Sequence, residues 1–353
     1  MLTNTKLQSF IEATIREQAS DLHLSAGHRP TIRVSSELIP LVEEAPLTRE
    51  EMEQFVLEFL SEDEMKMFFE TKEMDFSFEF NSTSRFRGNA FFQQGGIGVA
   101  LRLIPTDLPS IAELNLPAVL ETFTRKKQGF FLVVGPVGQG KSTTLATMVD
   151  LINRERAEHI VTIENPVEYV FSPDRSLIDQ REVRIDTNNF HSALKSAFRQ
   201  DIDVLMIGEM RGPETISAAV TAAETGHLVF STLHTNNAPQ TINRIIDSFP
   251  ANQQTQIRAQ LAASLLGIFS QRLIPRVSGG LIPAYELLIN NNAVASLIRE
   301  GKTHELNMVI ETGSQDGMID MNRSLADLVR RGEIAPEEAF SHSISPKVLE
   351  RFL

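Results

Sequence analysis

The fold is decided by the stretch Gly135-Pro136-Val137-Gly138-Gln139-Gly140-Lys141-Ser142. This stretch matches the pattern G-x-x-x-x-G-K-[ST], in which glycines let main-chain N–H groups turn toward phosphate oxygens. The apolar run 130–134 precedes it, and residues 143–148 continue it with a composition suited to a helix. The positive end of such a helix points at the same anion. The stretch therefore predicts a strand, a phosphate-binding loop and a helix, which together begin an α/β nucleotide-binding domain.

Two side chains at the end of this loop carry chemistry of their own. Lys141 can place its charge on the β- and γ-phosphates of a nucleotide, and the Ser142 hydroxyl can bind Mg²⁺. Thr143 follows directly, where the helix is expected to begin. We therefore expect a nucleotide with its Mg²⁺ along the whole segment from Gly135 to Thr143.

Beyond the loop, apolar runs alternate with helical stretches. The runs are 130–134, 159–163, 204–207 and 228–232. This alternation indicates βα units and a parallel-type sheet, whose strands end at the edge where α/β proteins bind ligands. After about Asn290 the pattern is helical only, so we expect a helical C-terminal segment.

Acidic side chains and a histidine follow three of these runs. They are Glu164 and Glu168 after the second run, Glu209 after the third and His234 after the fourth. A nucleotide hydrolase needs a group that orients water and a partner for the metal. Glu209 follows its apolar run through a glycine, in the form of a Walker B strand, and an imidazole at His234 can contact the γ-phosphate.

The N-terminal third alternates short helices and strands. Apolar residues between 7 and 15 share one helical face, and capping-box patterns at Thr48 and Ser61 each open a helix. We predict strands at 21–25, 31–34, 76–80, 85–93 and 97–104. The segment 105–110 has two prolines in five residues and is the best linker candidate. We therefore place an N-terminal domain at 1–104, a linker at 105–117 and a second domain at 118–353.

Composition and charge exclude several classes of protein. The 353 residues are 42% hydrophobic, which excludes a disordered chain, and include no cysteine, which excludes disulfides and Cys-based zinc sites. Acidic residues outnumber basic ones 46 to 33, giving a net charge of −13. Nucleic acid is therefore not an expected partner, because phosphate contacts need clustered cations. No stretch approaches the ~18–20 apolar residues of a membrane-spanning helix, so we expect a cytoplasmic protein without direct membrane insertion.

Taken together, the motifs resemble the PilT family, the type IV pilus retraction ATPases among the secretion ATPases. The matching segments, which extend over nearly the whole chain, are 19–27, the Walker A loop 135–142, the Asp box 162–168, 180–183, the Walker B end 208–211, 222–227 and the His box 231–235. The resemblance implies a PAS-like α+β N-terminal domain and a RecA-like P-loop NTPase domain with the helical segment at its end. It also implies ATP as substrate and a homohexameric ring.

The resemblance assigns roles to single residues. Glu168 matches the catalytic glutamate of the Asp box, Glu209 the Walker B glutamate that binds Mg²⁺ with Ser142, and His234 the His-box histidine. His227 matches a segment assigned to nucleotide contact. Arg85, Arg87 and Arg102 match N-terminal arginines that the family brings to the nucleotide. Because Arg85 and Arg87 are two apart on a predicted strand, they share a face and can point at one anion.

The implied function is an ATP-hydrolysing motor for pilus retraction and twitching motility. Its implied partners are the pilus machinery and an inner-membrane platform protein, on whose cytoplasmic side it docks. Extension and secretion ATPases typically carry a longer N-terminal region and a four-cysteine zinc element. The sequence has no cysteine and about a hundred residues ahead of the linker, so we expect neither class. Retraction-type members carry a late AIRNLIRE-like motif, of which this chain keeps the LIRE core at 297–300.

Three alternatives stay open at this stage. A loading or assembly motor of the same superfamily shares the motifs, and the sequence departs from the usual pattern at Gln139, Asn165 and Ile202. A RecA-like nucleic-acid motor is disfavoured by the negative charge. A non-catalytic nucleotide sensor is disfavoured by the presence of both glutamates and the loop lysine.

Overall fold

The computed structural model describes residues 2–34, 37–81, 84–104 and 108–353. It contains two compact units, one formed by Met1–Asp107 with Glu168–Val170 and the other by Leu108–Val167 with Phe171–Leu353. Each unit has its own sheet and its own hydrophobic core.

The N-terminal unit combines helices with an antiparallel sheet. Its described helices are α1 (Thr5–Arg16), α2 (Arg49–Phe59) and α3 (Glu62–Thr71). Its described strands are β1 (Asp21–Ser25), β2 (Thr31–Val34), β3 (Glu37–Pro40), β4 (Glu73–Asn81), β5 (Ser84–Gln93) and β6 (Gly96–Ile104). The strand order is β3-β2-β1-β6-β5-β4.

The two faces of this sheet differ because side chains alternate along each strand. On one face, Leu22, Leu24 and Phe86 are buried in a core that they share with Phe10 and Phe55 of the helices. The opposite face carries the polar side chains of the same strands, among them the predicted arginines. Both predicted capping boxes form, at Thr48 and Ser61.

The second unit carries the phosphate-binding loop. Its described helices are α4 (Leu120–Thr124), α5 (Lys141–Glu155), α6 (Phe190–Ala197), α7 (Pro213–Glu224), α8 (Ala238–Asp247), α9 (Ala251–Ser264), α10 (Asn292–Glu300), α11 (Leu306–Thr312), α12 (Met321–Arg330), α13 (Pro336–His342) and α14 (Pro346–Leu349), with 3₁₀ turns at Thr303–Glu305 and Gly313–Asp316. Its described strands are β7 (Gly129–Val134), β8 (His159–Glu164), β9 (Leu177–Glu182), β10 (Val204–Ile207), β11 (Leu228–Leu233), β12 (Leu265–Pro275) and β13 (Leu281–Ile289).

The sheet of this unit has the order β13-β12-β7-β11-β10-β8-β9. All neighbours are parallel except β12 and β13, which form an antiparallel pair at one edge. Strands β7, β10 and β11, in the middle of the sheet, are largely apolar and fully buried, as strands covered on both faces are. Since β7, β11, β10 and β8 are neighbours, their carboxyl ends bring the loop and the three predicted strand ends to one edge. None of the helices in the described part of the chain has both the length and the apolar character needed to cross a bilayer.

The hairpin β12–β13 was not expected from the sequence. Its first strand begins at Leu265, directly after α9 ends at Ser264, with no glycine or proline between them. The local sequence therefore contains no helix-breaking residue that would indicate the end of α9. The pairing of β12 with β7, which fixes its conformation, is a long-range contact.

Residues 105–107 of the expected linker lie outside the described residues. The remainder, 108–117, forms no helix or strand and belongs to the second unit. Ile111 and Leu116 are buried there, and the Pro109 carbonyl accepts a hydrogen bond of 3.0 Å from the Thr147 hydroxyl.

Candidate active site

The phosphate-binding loop joins β7 to α5, as its sequence predicts. Gly138 and Gly140 have φ angles of 77° and 75°, in the left-handed region that favours glycine. A Cβ atom at Gly135 would overlap the carbonyl oxygen of Gln271. These positions require glycine, and the resulting main chain makes the tight turn that can present N–H groups to phosphate.

Lys141 is buried at the start of α5. Its Nζ donates a hydrogen bond of 2.8 Å to the Pro136 carbonyl and lies 3.2 Å from Nδ1 of His234. An ammonium group has only donors, so Nδ1 accepts and the neutral ring carries its proton on Nε2. The loop lysine and the predicted histidine therefore contact each other at the carboxyl ends of β7 and β11.

Glu209 extends this line of contacts. Its Oε2 lies 3.8 Å from Nε2 of His234, and its Oε1 lies 2.6 Å from Nη2 of Arg211. We call the line Lys141–His234–Glu209–Arg211 the polar chain. It links three predicted site residues, and it adds Arg211, which sequence reasoning missed because it lies just beyond the Walker B residue without a motif role of its own.

Two hydroxyl groups of β11 fix the segment that carries Glu209. Ser231 donates to the Ile207 carbonyl at 2.8 Å, and Thr232 donates to the Gly208 carbonyl at 2.6 Å. Both hydroxyls are buried. They hold the end of β10 against β11 and so place Glu209 beside His234.

The pKa of His234 lies below its ordinary value. Burial is the largest cause, because it disfavours the charged imidazolium, and the Lys141 charge lowers the pKa further. Glu209 acts in the opposite direction without reversing the shift. A neutral ring at neutral pH fits the hydrogen bond in which His234 accepts from the ammonium of Lys141.

Strand β12 supports the loop from behind. Gln271 is buried and accepts a hydrogen bond of 2.7 Å from the Thr144 hydroxyl. The side chain of Gln139, in the loop itself, accepts one of 2.7 Å from the Leu273 N–H. Sequence reasoning missed Gln271 and Leu273, since nothing local marks a residue that contacts another over a hundred positions away.

Glu164 and Glu168 differ in their surroundings. Glu164 ends β8 and is buried, where its Oε1 accepts hydrogen bonds from Thr162 at 2.6 Å and Gln180 at 3.3 Å. Glu168 follows beyond the strand end and is exposed. These contacts tie Glu164 to the sheet, whereas the catalytic role of Glu168 stays a prediction.

His227 does not reach the phosphate-binding loop of its own chain. It precedes β11, at the amino edge of the sheet, where its Nδ1 lies 3.0 Å from the Ala222 carbonyl oxygen. The six residues of β11 separate it from His234, a distance of roughly 20 Å along a strand. The nucleotide contact expected of His227 stays a prediction, and β11 places the residue at the edge of the sheet opposite the loop.

The predicted arginines share the polar face of the N-terminal sheet. Arg87 lies directly opposite Arg102 in the pairing of β5 with β6, and Arg85 lies two residues from Arg87 on the same strand. The carboxylate of Asp21 contacts Arg102 at 2.9 Å. Arg85 and Arg87 thus share a face, as their spacing predicts, and Arg102 lies beside Arg87 on that face; the contact of these arginines with nucleotide stays a prediction.

The residues at the loop fit Mg²⁺ held in part by phosphate. Ser142 follows Lys141 at the helix start and is half-buried, and Glu209 follows β10, which is separated from the loop strand β7 by β11. Among the described residues, no three His, Asp or Glu side chains form a metal cage of their own. Mg²⁺ in phosphate sites takes few protein ligands and keeps phosphate oxygens and waters as the others.

Glu286 lies behind the His234 loop, on β13. It is buried, and its Oε1 accepts hydrogen bonds from the Ala238 N–H at 2.8 Å and from the Ser270 hydroxyl at 3.4 Å. Burial raises the pKa of this carboxyl to about 7, against the opposing effect of the Ala238 hydrogen bond. Because Ala238 begins α8, Glu286 fixes the helix that directly follows the His234 loop.

The type II/IV secretion system protein family matches residues 3–281 of the chain. The type IV pilus retraction ATPase PilT of Pseudomonas aeruginosa is 42% identical over 335 residues, which cover 95% of this chain and 96% of that protein. This chain belongs to the PilT family. A twitching motility protein of Neisseria gonorrhoeae is 45% identical over 313 residues, covering 88% of this PilT-family chain and 83% of the relative.

The fold is shared as well. A crystal structure of the pilus retraction motor PilT with bound ADP matches with a TM-score of 0.91 and 44% identity, covering 97% of this chain and 98% of that one. The expected fold class, with an antiparallel N-terminal sheet and a mostly parallel ATPase sheet, is therefore confirmed. The family resemblance drawn from the motifs is confirmed too.

Proposed function

We propose that this chain is an ATP-hydrolysing motor that powers type IV pilus retraction. The expectation of a retraction ATPase is confirmed at family level, since full-length relatives carry the names PilT and twitching motility protein. Nucleotide binding follows from the same relatives. The observation that carries the proposal is the polar chain, because it joins the Walker A lysine, the His-box histidine and the Walker B glutamate at one edge of the sheet.

The polar chain can do chemistry when a triphosphate enters. The ammonium of Lys141 exchanges its bonds to Pro136 and His234 for oxygens of the β- and γ-phosphates. His234, neutral and with Nε2 protonated, then has Nδ1 available to accept a hydrogen bond near the γ-phosphate. Glu209 keeps a negative charge beside the site and holds the ring orientation through Nε2.

Two further roles complete the proposal. Glu168 orients or deprotonates the attacking water, and Arg85, Arg87 and Arg102 neutralise charge as the γ-phosphoryl group leaves. Such arginine contacts contribute ~10³–10⁵ in rate in related phosphoryl transfers. Ser142 and Glu209 would hold Mg²⁺, which supplies charge neutralisation at the phosphate oxygens.

We further infer a homohexamer in the cytoplasm that docks on an inner-membrane platform protein of the pilus machinery, with no nucleic-acid partner. The relatives' names support a place in the pilus machinery, and the net charge of −13 supports a partner other than nucleic acid. Size-exclusion chromatography with light scattering tests the ring: we expect six copies in the presence of nucleotide. A monomer under all nucleotide conditions would contradict it.

Glu168→Gln tests the hydrolytic role. The amide keeps the shape of the side chain but cannot take a proton, so we expect ATP affinity near the wild type and no turnover. Fluorescent nucleotide titration and phosphate release measure the two quantities. A Glu168→Gln protein that hydrolyses ATP at the wild-type rate would remove Glu168 from this role.

A deletion strain tests the direction of the motor. Loss of a retraction motor leaves pili that form but cannot withdraw, so we expect hyperpiliated cells that do not twitch. Complementation with the wild-type gene should restore motility, and complementation with Lys141→Ala should not. Cells without surface pili would indicate an extension motor, and normally retracting pili would indicate a motor for another secretion system.

A further inference from the structure

One row of residues crosses the polar face of the N-terminal sheet. The register pairs Arg33 with Asp21 between β2 and β1, Asp21 with Arg102 between β1 and β6, and Arg102 with Arg87 between β6 and β5. Residues paired in this way are direct neighbours on one face. Three guanidinium groups therefore lie in line with a single carboxylate among them, in a chain whose net charge is −13.

Asp21 is the fixed point of the row. Only 8% of the residue is exposed, and the Ser20 hydroxyl donates to its Oδ2 at 2.8 Å. Its Oδ1 accepts a hydrogen bond of 2.9 Å from Nε of Arg102, while Oδ2 lies 3.8 Å from Nε of Arg33. A carboxylate this buried, with a neighbour on each side, has little freedom to move.

The contact with Arg102 uses only the inner nitrogen of the guanidinium. The side chain of Arg102 is 68% exposed, and its two outer nitrogens have no hydrogen-bond partner among the described residues. The outer edge of a guanidinium is a planar fork that matches the oxygens of a phosphate. Asp21 therefore holds Nε of Arg102 and leaves the two outer nitrogens available for a ligand.

The neighbour across the strand makes this arrangement unfavourable without a ligand. Arg87 lies directly opposite Arg102, and like charges directly opposite each other on neighbouring strands are destabilising. Arg87 also lacks a hydrogen-bond partner within the described residues. Arg85 differs, since its Nη2 donates to the Ser77 hydroxyl at 3.2 Å and Glu79 lies opposite it. Arg102 and Arg87 are thus the pair arranged to share one anion.

We propose that Asp21 is a positioning residue for ATP hydrolysis, which anchors Nε of Arg102 so that its outer edge, beside Arg87, receives phosphate oxygens of the nucleotide. The inference rests on the proposed function, in which the N-terminal arginines act on the leaving phosphoryl group. An arginine held in advance loses less side-chain entropy when it binds. Because the proposed function uses this arginine as the γ-phosphoryl group leaves, we expect the effect mainly in the transition state and therefore in kcat.

The first test replaces Asp21 by Asn in the full-length protein. Asn keeps the size and one acceptor but removes the charge that pins Nε, so we expect kcat to fall about 10-fold while KM for ATP stays within about 2-fold. Asp21→Glu, which restores the charge, should recover most of the rate. Asp75→Asn is the matched control, since exposed Asp75 lies on the same face and bonds Asn89 at 2.8 Å; its kcat should match the wild type.

The second test separates this inference from the proposed function. We expect Arg102→Ala to lower kcat by about 10³-fold and Asp21→Asn/Arg102→Ala to be no slower, because the two residues act as one unit. Arg102→Lys, which can still pair with Asp21 but has no fork, should be nearly as slow. If Arg102→Ala lowers kcat but Asp21→Asn does not, or if the two losses add, Asp21 is not the positioning residue and the motor proposal stands. If Arg102→Ala or Arg102→Lys keeps the wild-type rate, the role of Arg102 in the proposed function is itself wrong.

Discussion

The two ends of β11 carry histidines in opposite surroundings. His234, at the carboxyl end, contacts Lys141 at 3.2 Å and lies 3.8 Å from Glu209. His227, at the amino end, has the Ala222 carbonyl as a ring neighbour. Both residues belong to segments that match the family, yet the strand between them places them at opposite edges of the sheet.

The difference shows that a parallel sheet separates residues that follow a strand from residues that precede one. Strands that run in one direction gather everything that follows them at one edge, whatever the distance in sequence. Lys141, Glu209 and His234 each follow a strand and meet there, whereas a residue that precedes a strand is carried to the other edge. A motif match alone does not contain this information.

Lys141→Ala should have the largest effect on the carboxyl edge. It removes the buried ammonium that reaches the phosphates, so we expect ATP binding to weaken about 100-fold or more and turnover to be lost. Titration with a fluorescent ATP analogue and a phosphate-release assay measure these. Tight ATP binding by this variant would mean that the nucleotide is not held at this edge.

The two histidines can be compared directly by His234→Ala and His227→Ala. We expect His234→Ala to lower kcat about 10- to 100-fold, since it removes a polar group beside the developing phosphate charge. His227→Ala should change both kcat and ATP affinity less than about 2-fold, because its side chain is at the far edge of the sheet. Phosphate release and nucleotide titration measure the two quantities, and a His227→Ala protein whose kcat falls as far as that of His234→Ala would contradict the comparison.

Gln139→Ala tests how much the contact between the loop and β12 contributes to nucleotide binding at the carboxyl edge. It removes the hydrogen bond that holds the loop to Leu273, which is worth about 1 kcal/mol, so we expect nucleotide affinity to fall about 5-fold with kcat unchanged. Val137→Ala is the control, since Val137 is 79% exposed in the same loop. Equal affinities for the two variants would show that the Leu273 contact does not shape the loop.

Glu286→Gln should affect stability rather than turnover. Because burial raises the pKa of this carboxyl to about 7 from 4.5, the folded state binds its proton more tightly than the unfolded state. The stability this gives is present in full below pH 4.5 and is lost as pH rises through 7. We expect the variant to match the wild type near pH 4.5 and to exceed it at pH 8, by up to ~3 kcal/mol in the free energy of unfolding.

Denaturant unfolding at the two pH values measures this difference. Glu311→Gln, at an exposed position on α11, is the matched control and should show no such pH dependence. A wild type no less stable than Glu286→Gln at pH 8 would mean that the buried carboxyl carries no such penalty.

The parts of the site that could be predicted from sequence are those with local rules. The glycines of the loop specify its backbone conformation. Because residues that follow parallel strands meet at one edge of the sheet, Glu209 and His234 can be placed beside the loop from sequence. The buried Glu164 was a reasonable candidate by the same rule, but its hydrogen bonds to Thr162 and Gln180 tie it to the sheet.

The parts that could not be predicted depend on long-range contacts. β12 follows a helix without a break, and its Gln271 and Leu273 reach the loop from over a hundred residues away. The pairing of Asp21 with Arg102 likewise spans most of the N-terminal unit. Neither set of contacts can be recognised from the adjacent sequence, because each depends on which strand pairs with which in the folded sheet.

A structure of the full-length protein with a non-hydrolysable ATP analogue and Mg²⁺ tests the central claim most directly. We expect the triphosphate to lie in the turn between Gly135 and Thr143, with Nζ of Lys141 moved from the Pro136 carbonyl onto oxygens of the outer phosphates, and with His234 and Glu209 beside them. A nucleotide bound elsewhere, with the contact between Lys141 and His234 unchanged, would contradict the account.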